Sequence, residues 1–355
     1  MAAIDGQVAP GFEGVRDAFA ALFTEGVESG AAAAAYVDGR PVADLWGGTV
    51  GRDSLVHVYS VSKPLAAACA LWLVDRGAIG LDTRLVEVWP EYGQGGKAAT
   101  TLRHVLCHQA GLLAWRAPQP LEALLEPDRA AALLAAEPAW WPPGTAHGEH
   151  ALLYGTLLGE VVRRVDGRSL GTLWRDELAR PWGLDVHFGV DARVAPLADP
   201  ERRWPGELLD GRDAAYRLAV DNPPALAHLD VVNSAAWRRA EVPAVNAHAT
   251  ARGVARFYAG LLGGGELDGV RVLGAGTVAE MTAPQASGPD RLLGEHATWG
   301  LGVGLEDGGW GMGGLGGSLG WADPSRGLAF AYVTARVGDH DRALRFERAL
   351  IASIR

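Results

Sequence analysis

Ser60 and Lys63 stand three residues apart in Val58-Tyr59-Ser60-Val61-Ser62-Lys63-Pro64, just before the apolar run Leu65 to Val74. A serine hydroxyl is a weak nucleophile until a base takes its proton, and a desolvated lysine can be that base. The spacing serves this chemistry only on a helix, where residues at i and i+3 share a face. Pro64 ahead of an Ala- and Leu-rich run is a helix-start signal. Ser60 therefore falls at or just before a helix N-terminus, where free N–H groups and the positive end of the dipole favour an anion. Two residues make a weak pattern by themselves, because Ser60 as an N-cap and Lys63 as a solvated lysine would fit it too. The rest of the chain has to decide.

Other candidates for chemistry are fewer. His104, His108, His147, His150 and His248 invite a metal test, and His104 with His108 has the i, i+4 spacing of a zinc pair. The glutamate of H-E-x-x-H is absent, so no metal is expected. Asn246-Ala247-His248 precedes a helical pattern and either contributes to a site or caps that helix. Gly311 to Gly317 is glycine-rich but lacks the Lys-Ser/Thr of a phosphate loop and lies between strand patterns. Its glycines fit a strand whose backbone a substrate approaches closely.

The 355 residues are 48% hydrophobic and 21% charged, enough for one large core or two lobes. The net charge of −10 and the absence of a basic block argue against nucleic acid and anionic membrane as partners, leaving a small-molecule substrate. Oligomeric state has no signature. Two cysteines, Cys69 and Cys107, make no disulfide framework and suit a reducing compartment. Met1 to Gln7 has no basic segment followed by an apolar stretch, and Leu65 to Val74 is too short to cross a bilayer, so a cytoplasmic protein is expected.

Several elements must position Ser60. Val15 to Phe23 carries apolar residues at helical spacing. Ala31 to Val37, the turn at Gly39-Arg40, and Pro41 to Gly48 read as a β-hairpin. The helix begun at Ser60 ends near Gly77. Between Ile79 and about Pro243 strand signals fade. A short helix over Thr101 to Leu112 closed by Gly111, and helices over Leu121 to Ala136 and Ala151 to Val165, are expected there. Asp199 to Asn222 reads as a long polar loop. Thr250 to Leu262 is helical; Gly300 to Leu305, Gly317 to Asp323 and Leu328 to Ala335 read as strands, and Arg342 to Ile354 as a closing helix. Strands at both chain ends with helices between imply one antiparallel sheet built from residues 1–78 and 244–355, and a mostly helical inserted lobe over 79–243.

Four blocks in this order resemble the serine β-lactamase-related and penicillin-binding proteins, most closely the class C-like family VIII carboxylesterases: Tyr59 to Pro64 with its S-x-x-K, His104 to Leu112, Trp141-Pro142-Pro143-Gly144-Thr145, and Gly316 to Pro324. The resemblance spans roughly Asp44 to Arg336. It implies a β-lactamase/transpeptidase-like fold, Ser60 as the acyl-accepting nucleophile, Lys63 as its base, and an oxyanion hole of the Ser60 and Leu315 N–H groups. No cofactor is implied. The family also carries a tyrosine after the Pro-Gly-Thr block and a Lys- or His-led triplet on an inner strand. Here Glu149 and Met312-Gly313-Gly314 stand at those places, and Tyr154 fits the helix core.

Both departures bear on the chemistry. A carboxylate beside Lys63 favours the charged amine, yet Glu149 could itself take or relay the Ser60 proton; as an alternative it is a first-turn acid on a helix. Met312 either fills core or faces substrate, and it cannot bind a substrate carboxylate. A bulky neutral acyl group is therefore expected. Of thirteen tryptophans, Trp115, Trp140, Trp141, Trp299, Trp310 and Trp321 flank the motif blocks, and some could line an aromatic pocket. Tyr59, Trp115, Trp141, His150, His248, Met312, Gly313 and Gly314 are the candidate pocket residues. The expected function is acyl-Ser60 chemistry, as hydrolase or transacylase, on an ester, thioester or activated amide. The alternative is a non-hydrolytic isomerase, cyclase or lyase using Glu149 and Lys63, or a catalytically silent protein.

Overall fold

The computed structural model describes residues 4–354. Its strands are β1 (Ile4–Val8), β2 (Gly30–Val37), β3 (Arg40–Gly48), β4 (Leu55–His57), β5 (Val186–His187), β6 (Val194–Ala195), β7 (His248–Ala249), β8 (Glu266–Leu267), β9 (Val270–Arg271), β10 (Ala286–Pro289), β11 (His296–Trp299), β12 (Gly304–Glu306), β13 (Gly309–Gly313), β14 (Leu319–Asp323) and β15 (Leu328–Thr334). Nine of them form one sheet in the order β1-β3-β2-β15-β14-β13-β12-β11-β10, antiparallel throughout. The N-terminal strands β1 to β3 join the C-terminal strands inside this sheet, where β15 pairs with β2 from Leu328 opposite Val37 to Thr334 opposite Ala31.

The alanine run of β2 explains how this sheet is covered on both sides. Successive strand residues point to opposite faces, and the run splits accordingly. Ala32, Ala34 and Tyr36 join the large core with Val254 and Tyr258 of the helix Ala251–Leu262. Ala31, Ala33 and Ala35 join a second core with Phe19 of the helix Glu13–Thr24 and Phe346 of the helix Asp341–Ser353. Small side chains let both helical layers approach closely, a fit unavailable to a half-exposed strand.

The helix Ser62–Asp75 is buried on every side from Ser62 to Leu73. A helix that is apolar all round belongs in a core. Its N-terminal turn is thereby fixed between the sheet and the helix Leu153–Asp166, which shares the same core through Leu157, Leu158 and Val161.

Several sequence expectations need correction. Asp199 to Asn222 is no structureless loop: it folds into the short helices Gly206–Leu209 and Ala214–Asp221, the second capped by Asp213 accepting from the Tyr216 N–H. The region 79–243 contributes β5 and β6 to a small sheet with β4 and β7, pairs too short to leave a period-2 pattern. The helix expected over Thr101 to Leu112 covers only Leu102–Leu106, because the chain turns at Cys107 and His108 takes φ +63. That ends the i, i+4 relation of His104 and His108. Within Gly300 to Leu305 only Gly304 and Leu305 are strand; β1 and β10 are interrupted by Gly6 and by Gly288-Pro289, and the four residues of β11 are too few to show alternation.

Candidate active site

Ser60 lies in a 3-10 turn, Tyr59–Val61, that runs straight into the helix Ser62–Asp75. Tyr59 is held at φ +46, a conformation non-glycine residues rarely adopt. The neighbouring serine secures it: the Ser62 hydroxyl donates to the Tyr59 carbonyl and accepts the Ala247 N–H at 3.0 Å, while the Val58 N–H donates to the Ala247 carbonyl at 3.0 Å. The two serines of the motif thus divide the work. Ser62 is structural and fully buried, whereas Ser60 is partly exposed with its hydroxyl left for Lys63.

Lys63 is fully buried. Its Nζ lies 2.7 Å from Ser60 Oγ, 2.9 Å from Glu149 Oε1 and 3.5 Å from the Ala244 carbonyl. The Glu149 carboxylate retains 12% of its exposure, so the pair sits at the edge of solvent rather than sealed from it. The amine therefore bridges the hydroxyl and the carboxylate. A proton leaving Ser60 has an acceptor at Nζ, and a second proton on Nζ has one at Oε1, without movement of any heavy atom.

Glu149 owes this position to an extended stretch rather than to a helix. The helix that follows starts only at Leu153, so Glu149 is not a first-turn helix acid. Each backbone N–H around it has a partner: Gly148 donates to the His108 carbonyl at 3.1 Å, Glu149 to the Asp290 carboxylate at 3.1 and 3.2 Å, and His150 to His108 Nδ1 at 3.2 Å. The Arg291 N–H to the His147 carbonyl at 3.0 Å, and His147 Nε2 with the Gly288 carbonyl at 3.2 Å, fasten the other side. The left-handed turn at His108 is what lets one residue offer both a carbonyl and a ring nitrogen.

The triplet lies on the inner strand β13 and the residue beyond it. A Cβ at Gly314 would stand 2.2 Å from the Val58 carbonyl, so only glycine allows this strand end to press against the residues leading into Ser60. Gly314 donates to the Ser318 carbonyl at 2.7 Å and Gly317 to the Gly314 carbonyl at 3.0 Å, while the Leu315 N–H between them has no protein acceptor among the described residues. Met312 packs with Cys107, Ala286 and Trp299. No charged side chain replaces it on the strand.

Some expected pocket residues are enclosed instead. Tyr59 and Trp115 are 1% exposed and His150 and His248 are 0% exposed, which leaves them no side-chain surface for a substrate. Tyr59 donates to the Leu226 carbonyl at 3.3 Å. His248 lies on β7, edge-on to His57 with ring centres 5.2 Å apart, and its Nδ1 contacts the Asn246 carbonyl at 2.9 Å. Trp141, with its Nε1 donating to the Ala146 carbonyl at 2.8 Å, packs on Leu113, Ala151 and Leu292 beside Gly148.

Burial keeps these imidazoles neutral. It pushes His108 and His57 well below the usual histidine range, His150 to about 3 and His248 to about 4. The neighbouring Lys63 charge acts in the same direction on His108 and His150. The folded values lie below the unfolded one, so the unfolded chain binds more protons in acid. The stability they contribute is complete above about pH 6.5 and is lost as pH falls from there, with a limiting slope of about 1.4 kcal/mol per pH unit for each group. Urea midpoints at pH 7 and pH 5 are expected to fall accordingly, and the fall should be shallower in His248→Gln; equal slopes would contradict it.

Two contributors had little sequence signal. Asp290 shows only as a Pro-Asp turn, and the segment over 199–222 looks like polar loop. The latter brings the Trp204 ring to 6.0 Å from Tyr59 and packs Tyr216 with Trp140 and Ala151; burial, and then the Glu149 charge, raise the Tyr216 phenol.

A serine at the head of a buried helix, a lysine one turn on, and a facing antiparallel strand define a serine enzyme of the β-lactamase and penicillin-binding class. The chain belongs to the Beta-lactamase family, matching it over residues 16–353. It is 35% identical to the esterase/beta-lactamase LipL of Mycobacterium tuberculosis over 94% of this chain and 83% of that protein. Among solved structures, a family VIII carboxylesterase superposes with a TM-score of 0.91 at 34% identity, covering 99% of this chain and 100% of the other. A penicillin-binding-protein homologue from Caulobacter crescentus gives 0.90 at 35% identity with the same coverage.

Proposed function

We propose that the protein is an acyl-Ser60 hydrolase of neutral carboxylic esters. The observation carrying this reading is the unbroken contact from Ser60 Oγ through Lys63 Nζ to Glu149 Oε1, at 2.7 and 2.9 Å. Ser60 Oγ attacks the ester carbonyl carbon, and its proton passes to Lys63 as Lys63 hands one to Glu149. The Ser60 and Leu315 N–H groups receive the developing oxyanion. The carbonyl C–O bond then breaks, the departing alkoxide takes a proton back from Lys63, and the alcohol leaves. Water repeats the sequence on the acyl-enzyme, losing its proton through the same pair and releasing the carboxylic acid. Another nucleophile in place of water would give acyl transfer.

Two features bear on the acyl group. Met312, at the position where the resemblance puts a Lys or His, packs with Cys107, Ala286 and Trp299 and offers no cation to a substrate carboxylate, and Glu149 sets a carboxylate beside Lys63. The similarity to proteins named as an esterase/beta-lactamase and a carboxylesterase supports testing esters first as donors. Aryl esters with neutral acyl chains are expected to turn over at least tenfold faster, in kcat/KM, than the same esters bearing a terminal carboxylate, since one lost ionic contact is worth about 1.4 kcal/mol or more. Met312→Lys should narrow that gap. Equal turnover of both series would remove the basis for the neutral-acyl assignment, and no turnover of either would count against hydrolysis. Activity on another substrate that needs Glu149 and survives Ser60→Ala would favour proton-transfer chemistry by Glu149 and Lys63.

A further inference from the structure

Asp290 is 2% exposed, yet every hydrogen bond its carboxylate accepts comes from a neutral N–H group. Oδ1 receives the Leu292 N–H at 2.8 Å and the Leu293 N–H at 3.0 Å; Oδ2 receives the Trp299 Nε1–H at 3.0 Å; the Glu149 N–H reaches both, at 3.2 and 3.1 Å. Burying a carboxylate is expensive unless it is fully hydrogen-bonded. The first three donors belong to the connection between β10 and β11 and to β11 itself, and could be satisfied by an ordinary turn. The fourth is the backbone of Glu149, 141 residues away in sequence.

We propose that Asp290 is the positioning residue of this site: it pins the Glu149 backbone so that the carboxylate stays on Lys63, and it does so without touching substrate. This rests on the acyl-Ser60 reading above. The shortest contact from Lys63 to Glu149 is 2.9 Å, to Oε1, and Glu149 precedes its helix by four residues, so no helical hydrogen bond fixes it. Asp290 supplies the missing constraint from one side while His108 supplies it through Gly148 and His150 from the other. Proton transfer is sensitive to such placement, a 1 Å error being enough for a loss of about a hundredfold.

In Asp290→Asn the amide keeps one acceptor oxygen and turns an NH2 donor toward N–H groups that need an acceptor. The test is the rate at which a fluorophosphonate labels Ser60 in wild type, Glu149→Gln, Asp290→Asn and the double variant, with Ser60→Ala as blank and thermal unfolding of each. Asp290→Asn is expected to slow labelling by roughly tenfold to a hundredfold. The double variant should then be no slower than Glu149→Gln alone, because the residue being positioned has already lost its function. Wild-type labelling in Asp290→Asn, or a double-variant loss equal to the product of the single losses, would overturn the assignment, since a merely structural role multiplies. If Asp290→Asn does not fold, Trp299→Phe removes one donor and keeps the carboxylate. It should slow labelling mildly in wild type and not at all beside Glu149→Gln; slowing in both backgrounds would again overturn the assignment. Wild-type protein without Ser60-dependent labelling would end the acyl-Ser60 reading first, and this inference with it.

Discussion

Glu149→Gln is expected to lower kcat for ester hydrolysis by roughly a hundredfold to ten-thousandfold, the range over which a positioned proton acceptor acts. KM should change little. The amide is nearly isosteric and its oxygen can still accept from Lys63 Nζ, so Lys63 remains held 2.7 Å from Ser60 Oγ. What disappears is the capacity to take a proton. A fall in kcat and kcat/KM together, without loss of folding, is the mark of an interaction made in the transition state. The assay is steady-state hydrolysis of a short-chain aryl ester with cooperative thermal unfolding as control. A variant with wild-type kcat would assign the proton to Lys63 alone and reduce Glu149 to an ion-pair partner.

Ser60→Ala carries the largest expected effect, a fall to background that amounts to roughly a millionfold where nucleophile and base act as one unit. Stability should stay within about 1 kcal/mol of wild type, because the hydroxyl makes a single hydrogen bond and Lys63 keeps both Glu149 and the Ala244 carbonyl. That asymmetry separates it from Ser62, whose hydroxyl joins the Tyr59 carbonyl to the Ala247 N–H. Residual Ser60-independent hydrolysis at a tenth of the wild-type rate would place the nucleophile elsewhere.

The chain's architecture was readable wherever local pattern and tertiary environment agree. Pro64 and the apolar run after it announced the helix Ser62–Asp75, and the Ala-Tyr-Val and Leu-Trp-Gly segments around Gly39 announced the β2–β3 hairpin. The convergence of the candidate site was readable for the same reason: Ser60 and Lys63 are neighbours in sequence, and Glu149 follows the Pro-Gly-Thr block. What escaped lies in contacts between distant segments. Asp290 reveals nothing until the turn between β10 and β11 is folded against 147–149. Tyr216 and Trp204 sit in a polar stretch whose few apolar residues face a core that the sequence does not display. His150 and His248 erred in the opposite sense: imidazoles next to motif residues looked available, whereas burial has enclosed them and holds them neutral.

The central claim is that Ser60 is a competent nucleophile although Glu149 and Met312 stand where the resemblance would put the family's tyrosine and the Lys or His of its triplet. Intact-protein mass spectrometry after incubation with a fluorophosphonate, and separately with a short-chain aryl ester, tests it most directly in wild type and Ser60→Ala. A mass increase of one phosphonyl or acyl group on wild type, absent from Ser60→Ala, is the expected result. No adduct from either reagent, or one that persists in Ser60→Ala, would contradict it.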